Sequence, residues 1–393
     1  MSIRLNRDTA IDAVRGFALF GILLANITFA AMPGGVAGDW WRQNWPGLTN
    51  LAAAFAIRSI FESGFILIFS FLFGYGAGRQ LQRGTAYFRR RLLGLGLIGI
   101  AHALLLWPGD ILLAYALAGL LLPFAVHWPL RCILRVSGLL WFAAIIGNVL
   151  VGVGLVMLDP PPLDAAAAIK LYQSGDFVQL LEARFMEWVE FYGFGLFVLM
   201  PLIAAAFLLG LATERWLAGR RPSELKQFAP DILYFLLWPA ILGRLVYGAI
   251  AIAPKAWAGG GLLMPEIILR ALFAPLWAAV LIVCALLFFT SPAGERLGRL
   301  FQANGRLSLS IYVSQSFVCL LLFHSLGVGL YGAISPAGCV LLAIGIFGVM
   351  TVFSWLWHRF FGHGPLERIM ALIVGANERT MTGASGLKES HAP

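Results

Sequence analysis

Apolar runs separated by short basic or turn-forming segments recur from one end of this chain to the other. About 20 apolar residues in a helix cross the roughly 30 Å hydrocarbon layer of a bilayer. In the first half, runs near or beyond that length extend from Ile11 to Met32, Leu51 to Gly78, Leu92 to Trp107, Asp110 to Val126 and Val136 to Leu158. In the second half they extend from Phe191 to Thr213, Ile232 to Ala253, Leu262 to Phe289, Leu307 to Leu326 and Ala337 to His358. The pattern predicts an all-α fold, a polytopic membrane helix bundle with about ten transmembrane helices. Residues 1–376 read as a single transmembrane domain, and the polar, Gly- and Ser-containing stretch 377–393 as a disordered cytoplasmic tail.

Composition points the same way. With 60% of residues hydrophobic, 12% charged and a mean hydropathy of +0.85, the chain carries more apolar surface than a soluble domain could hide. Charge then gives an orientation, because cytoplasmic loops collect Lys and Arg. With the N-terminus inside, twenty of the 28 Lys and Arg residues fall in inner segments, and only Arg42, Lys170, Arg184 and Lys255 fall in outer loops. Arg15, Arg58, Arg244 and Arg270 lie within spans. Both termini are therefore predicted cytoplasmic. The net charge of +9 reflects this bias and contact with anionic lipid headgroups, not a nucleic-acid partner.

The first span, preceded by Arg4 and Arg7 and ending near Ala30 and Ala31, has some look of a cleaved signal peptide, but Asp12 and Arg15 within it argue that it is kept. The segment from Asp159 to Glu190 is amphipathic and reads as an interfacial helix on the outer surface. Trp40, Trp41 and Trp45 read as an aromatic belt, with a vestibule wall as the alternative. Cys132, Cys284, Cys319 and Cys339 sit in or beside apolar spans without a C-x-x-C pair, so buried free thiols are expected and no metal site.

Ionisable groups within the spans carry the functional signal, since each costs several kcal/mol in hydrocarbon unless it is paired or hydrated. Arg58 and Glu62 stand one turn apart on one helix face. His102 lies about 11 residues beyond Arg91, and Asp110 follows in the short turn Trp107-Pro108-Gly109-Asp110. Asn26, late in the first span, and Arg270, early in the eighth, share their depth. Six polar groups thus fall on one outer level. Structural roles compete with chemical ones: Arg58 and Glu62 neutralise each other, and Asp110 can cap the following helix. His102 is the candidate base, with Asp110 to orient its ring. His324 lies close enough to the boundary to read as a solvated group. Gly74-Tyr75-Gly76-Ala77-Gly78 follows an apolar helix, not a strand, and with Gly94, Gly96 and Gly99 reads as helix-packing surface, not as a phosphate loop.

The segments "AIDAVRGFALFGILLANI", "FSFLFGYGAG", "RRRLLGLGLIGIAHALLLWPGDILLAYALAGLLL" and "GRLSLSIYVSQS", followed by "GPLER", resemble the YeiB family of bacterial inner-membrane proteins, which carry a domain of unknown function numbered four-one-eight. The likeness runs in order over nearly the whole chain. The opening also resembles the transmembrane acyltransferase group that includes heparan-alpha-glucosaminide N-acetyltransferase, through Asp12, Arg15 and Asn26. That resemblance implies transfer of an acyl group from cytoplasmic acetyl or acyl coenzyme A to an envelope glycan or small acceptor outside. The group's reactive His in the first outer loop has no counterpart around Ala37. Either His102 supplies the base from another helix or the chemistry has been lost.

Two function classes follow. In the first, an O- or N-acyltransferase, His102 deprotonates the acceptor, Asn26 or Arg270 stabilises the oxyanion, and Arg15 meets coenzyme A phosphates or anchors Asp12 in an ion pair. In the second, Arg58, Glu62, Arg270, Arg15 and Asp12 line a path for a small metabolite or anion, and the protein is a transporter. Either class is compatible with a homo-oligomer in the lipid bilayer.

Overall fold

Residues long enough and apolar enough to cross a bilayer do form helices here, because a helix satisfies its own backbone polar groups where no water reaches. A computed structural model describes residues 9–158, 161, 163–217, 227–254 and 261–375, and among these there is no strand. The first half runs α1 (Thr9–Ala31), α2 (Trp40–Asn44), α3 (Leu48–Ala56), a π turn (Ile57–Phe61), α4 (Gly64–Leu81), α5 (Thr85–Leu105), α6 (Leu112–Gly119), α7 (Leu122–Ala125) and α8 (Leu130–Leu158). The rest runs α9 (Ala165–Ser174), α10 (Phe177–Trp216), α11 (Ala229–Ala251), α12 (Leu263–Phe289), α13 (Pro292–Arg306), α14 (Ser308–Phe323), α15 (Pro336–Phe361) and α16 (Pro365–Val374).

Among the described residues, seven helical stretches are long and apolar enough to span a membrane, or up to eight if α13 and α14 count as one span bent by 84°. The sequence pattern suggested about ten, and the difference has local causes. Helix α5 opens on Arg89, Arg90 and Arg91, and the 110–126 run breaks into the short helices α6 and α7. The polar stretch before Leu307, which offered no span, folds as the amphipathic α13, capped by Ser291 and packed along the N-terminal half of α1. The tail from 377 to 393 lies outside the described residues.

Helix α10 corrects a second expectation. Its 40 residues form one rod about 60 Å long, of which only Phe197–Trp216 has the character of a span. The preceding half starts in a capping box built by Asp176 and Gln179. Rather than lying flat on a surface, this half and α9 bury Tyr172, Leu180 and Arg184. They form a cap over the end of the bundle opposite the N-terminus, here called the distal end. The cap is fastened by Ser325 N–H to Tyr172 O (2.7 Å) and Gln173 Nε2 to Tyr331 O (2.6 Å), and the 324–335 loop is tied to α1 by Gly332 N–H to Ala31 O (2.7 Å).

At the centre, α4 and α10 cross with their backbones in contact. A Cβ on Gly74 would lie 2.0 Å from Phe207 O, and one on Gly210 would lie 2.1 Å from Phe71 O, so neither position accepts a side chain. Phe73 stacks on Phe207 beside this crossing, with ring centroids 4.6 Å apart. Trp41 is 2% exposed and belongs to the core instead of a headgroup belt. All four cysteines are free: Cys319 and Cys339 are buried, Cys132 is partly buried, and Cys284, contrary to expectation, lies on the exposed surface.

Candidate active site

Near its distal end the bundle holds a partly open cavity of about 610 Å³, with Asn26 of α1, Glu62 and Ser63 at the α3–α4 break, Trp107 to Gly109, Asn148 of α8 and Arg270 of α12 in its wall. The cap adds Tyr172, Arg184, Glu187, His324 and Tyr331 to that wall. The 107–111 turn stands at its edge because Tyr192 of α10 clamps it, donating to Asp110 O (3.2 Å) and accepting from Ala114 N–H (3.0 Å).

One wall holds a cluster of charges around a broken helix. After α3 the chain widens into the π turn and reverses sign at Ser63, whose φ of 62° is unusual for a residue with a side chain. The break releases carbonyls from the helical ladder. Arg244 of α11 takes three of them, donating to Arg58 O (2.6 Å), Ser59 O (2.7 Å) and Glu62 O (2.9 Å), while Trp277 Nε1 takes Ile60 O (2.8 Å). Arg58 pairs with Glu62, Nη1 to Oε2 at 2.6 Å, and also with Glu266 of α12. Glu62 further accepts from Tyr247 (2.8 Å) and faces Arg270 at 3.7 Å. Arg270 reaches Asn148 at 3.4 Å. The expected Arg58–Glu62 pair is thus one edge of a larger network.

On the other side, His102 and Asp110 are 2% and 0% exposed and bonded to each other, Nδ1 to Oδ1 at 2.8 Å. Asp110 also caps α6, its Oδ2 accepting Leu113 N–H at 2.9 Å, so the capping and orienting roles coexist. A carboxylate only accepts, so in the neutral imidazole the proton sits on Nδ1 and Nε2 is the acceptor. Nε2 lies 2.9 Å from Ser316 Oγ of α14, which therefore donates to it. Gly99 makes room for this arrangement: a Cβ there would come within 2.5 Å of Leu113 N and 2.8 Å of Asp110 Oδ2. The Tyr312 ring lies 5.1 Å from the imidazole. Ser316 lines a niche of about 20 Å³ with Asn26, Trp107 and Gln315. Asn26 and Trp107 face both the niche and the large cavity, whereas His102 and Asp110 stand behind these walls.

The cap contributes a third group, one that the sequence pattern placed in solvent. His324 is 5% exposed, and its Nδ1 receives Arg184 Nη2 at 2.9 Å while Arg184 Nη1 donates to Leu105 O at 2.9 Å. Burial first, and the Arg184 charge second, pull His324 down to about 3, so the ring stays neutral. Burial pushes the Glu187 carboxyl up, against the opposing hydrogen bond from Tyr172 and the charge of Arg184.

Asp12 and Arg15 do not join these groups. They precede Asn26 by 14 and 11 residues on α1, about 20 Å of helix, and form their own pair at 3.0 Å, with Arg306 3.7 Å from Asp12. Of the eight expected site residues, the structure therefore gathers Asn26, Arg58, Glu62 and Arg270 at or beside the cavity, joins His102 to Asp110 next to it, and leaves Asp12 and Arg15 at the other end. Sequence reasoning missed Ser316, Glu266, Arg244 and Arg184. Glu266 and Arg270, at i and i+4, carried a readable signal, whereas Ser316 carried none beyond its place in "SIYVSQS". Among the described residues no group of three or more His, Cys, Asp or Glu side chains is placed to hold a metal ion.

Comparison with known proteins gives kinship without chemistry. Residues 215–375 match the family model described as "Protein of unknown function (DUF418)". Over 386 residues the chain is 29% identical to the uncharacterized protein YxaH of Bacillus subtilis (strain 168), covering 92% of each chain. It is 28% identical to the uncharacterized protein YeiB of Escherichia coli (strain K12) over 390 residues, 92% of this chain and 95% of the relative. An uncharacterized 39.9 kDa protein from Bacillus acidopullulyticus is 26% identical over 94% of each chain. No solved structure matches.

Proposed function

We propose that this chain, an integral membrane protein that belongs to the YeiB/DUF418 family, transfers an acyl group from a cytoplasmic coenzyme A thioester to a hydroxyl or amine acceptor held in the distal cavity. The observation that carries this reading is the buried sequence of hydrogen bonds from Asp110 through His102 to Ser316 Oγ, ending beside a cavity large enough for a small acceptor. An imidazole oriented by a carboxylate and directed at a hydroxyl is the arrangement a general base requires. Asn26 faces both compartments and would offer its carboxamide to a developing oxyanion, and Arg270 would hold an acceptor oxygen or anionic substituent. Arg15, paired with Asp12 at the opposite end, would receive coenzyme A phosphates on the cytoplasmic side. That orientation follows from the Lys and Arg bias, with the N-terminus inside a bacterial inner membrane.

A second reading, transport of a small anion or metabolite, is favoured by the break at Ser63, since discontinuous helices with released carbonyls form the central sites of many carriers. One experiment separates the two. Purified protein in lipid nanodiscs is incubated with radiolabelled acetyl coenzyme A and an envelope extract, and labelled products are resolved. Label entering an extract component, and lost with His102→Ala, supports acyl transfer. No product from protein that instead drives solute counterflow in sealed vesicles would replace it with transport.

A further inference from the structure

Resting on the acyl-transfer reading, we infer that Ser316 is a nucleophile that carries the acyl group as a covalent ester between the two sides of the bundle. Ser316 Oγ lies 2.9 Å from His102 Nε2, and His102 Nδ1 lies 2.8 Å from Asp110 Oδ1, which gives nucleophile, base and orienting acid in one line of hydrogen bonds. In the neutral tautomer that Asp110 favours, Nε2 is the acceptor, so Ser316 Oγ is placed to pass its proton to the group that would take it. The imidazole has no second hydroxyl to serve: its two nitrogens bond Asp110 and Ser316, and its ring is 2% exposed. The side chain through which His102 meets the niche is Ser316, so an acceptor that enters there comes within reach of both.

Position explains why a covalent step is useful here. Ser316 is the ninth of 16 residues in α14, midway between the two ends of that helix. A donor entering from one side and an acceptor held at the other would each meet the same hydroxyl in turn, so an ester on Ser316 would join the two half-reactions. In the first step the serine oxygen attacks the thioester carbonyl and its proton passes to His102. The carbon–sulfur bond breaks, and the coenzyme A thiolate leaves with that proton, giving free thiol and an acyl-serine. In the second step the acceptor oxygen or nitrogen attacks the ester, His102 takes the acceptor proton and returns it to Ser316 Oγ, and the acylated acceptor leaves. No electrons are exchanged and no further reactant is needed. Asn26 and Trp107, which face both the niche around Ser316 and the large cavity, form the boundary the acyl group crosses.

Two labels test this on the full-length protein in detergent. An alkyl fluorophosphonate, which reacts with activated serines whatever the natural donor, is expected to modify Ser316, seen by peptide mass mapping. Ser316→Ala and His102→Ala, both checked for folding by size-exclusion and thermal midpoint, are expected to lose at least nine-tenths of that label. Radiolabelled acetyl coenzyme A without acceptor is expected to leave one acetyl ester on Ser316, and Ser316→Cys is expected to convert it to a thioester released by neutral hydroxylamine. Folded wild-type protein that takes neither label on Ser316 overturns the inference. So does Ser316→Ala that acylates an acceptor at the wild-type rate, an outcome that leaves acyl transfer standing with His102 acting directly. Fluorophosphonate on Ser316 without acetylation keeps the nucleophile and removes acetyl coenzyme A as its donor.

Discussion

The charge cluster at the α3–α4 break and the His102 chain beside it are both buried and both polar, yet they are built on opposite plans. In the cluster every group has several partners: Glu62 meets Arg58, Arg270 and Tyr247, and Arg58 meets Glu62 and Glu266. Arg244 spends its donors on backbone carbonyls that the π turn has released. The chain through Asp110, His102 and Ser316 is linear, and it ends at a hydroxyl in a small niche. Redundant partners hold a shape, because removing one leaves others to fix the geometry. A linear series with one open end conducts a proton, because each member has only one way to pass it on. The difference separates the group that shapes the cavity from the group that would act in it.

The largest expected effect would confirm or erase that separation. His102→Asn, whose amide N–H can still meet the buried Asp110, should lower acyl transfer by about 10²–10⁴-fold while the thermal midpoint stays close to wild type, with transfer measured with labelled acetyl coenzyme A. An equal collapse of stability would make the chain structural after all. The cluster should show the reverse behaviour. Arg58→Met should cost about 3 kcal/mol or more, and Arg58→Met with Glu62→Met clearly less, since a buried charge without its partner is costlier than none. Equal losses in a thermal-stability assay would show that the pair is not a unit. Gly99→Ala tests the junction of the two regions. It should cost about 1–3 kcal/mol through overpacking against Leu113 N and Asp110, and should lower activity further by displacing the carboxylate, seen as a fall in kcat with KM nearly unchanged.

The last test concerns the cap. His324 is held neutral down to about 3, against about 6.5 in an unfolded chain. The unfolded state therefore binds the extra proton first, and the stability contributed by the neutral ring is complete above about 6.5 and is lost as pH falls toward 3. Glu187, raised by burial, acts in the opposite sense: its contribution falls as pH rises above the ordinary carboxyl value. Measured in a Glu187→Gln background, the acid-side loss should appear in the parent and shrink in His324→Phe. An unchanged slope would remove His324 as its source.

Most of the spans were legible because length and hydropathy alone decide what can cross lipid. The places where the pattern fell short share one cause, the substitution of tertiary partners for local ones. The amphipathic stretch 177–190 looked like a surface helix because its buried Arg184 could not be matched in sequence with His324 and Leu105, 140 and 79 residues away. His324 looked solvated for the same reason. Arg58 and Glu62 were readable because they are four residues apart on one helix, while Glu266, 208 residues from Arg58, was not. Asp110 and His102, eight residues apart across a tight turn, fell between these cases: their shared depth was evident, but their contact needed Tyr192 and Gly99 to draw the turn onto the helix. Ser316, 214 residues from His102, had no local mark.

The crossing at Gly74 and Gly210 carries a mechanical consequence. Two helices touching backbone to backbone have no side chains between them to swing or slide on, so α4 and α10 are coupled as one lever. The cap at the head of α10 and the kink at the head of α4 thus belong to one rigid pair, and Arg244, which grips the kink from α11, ties a third helix to it.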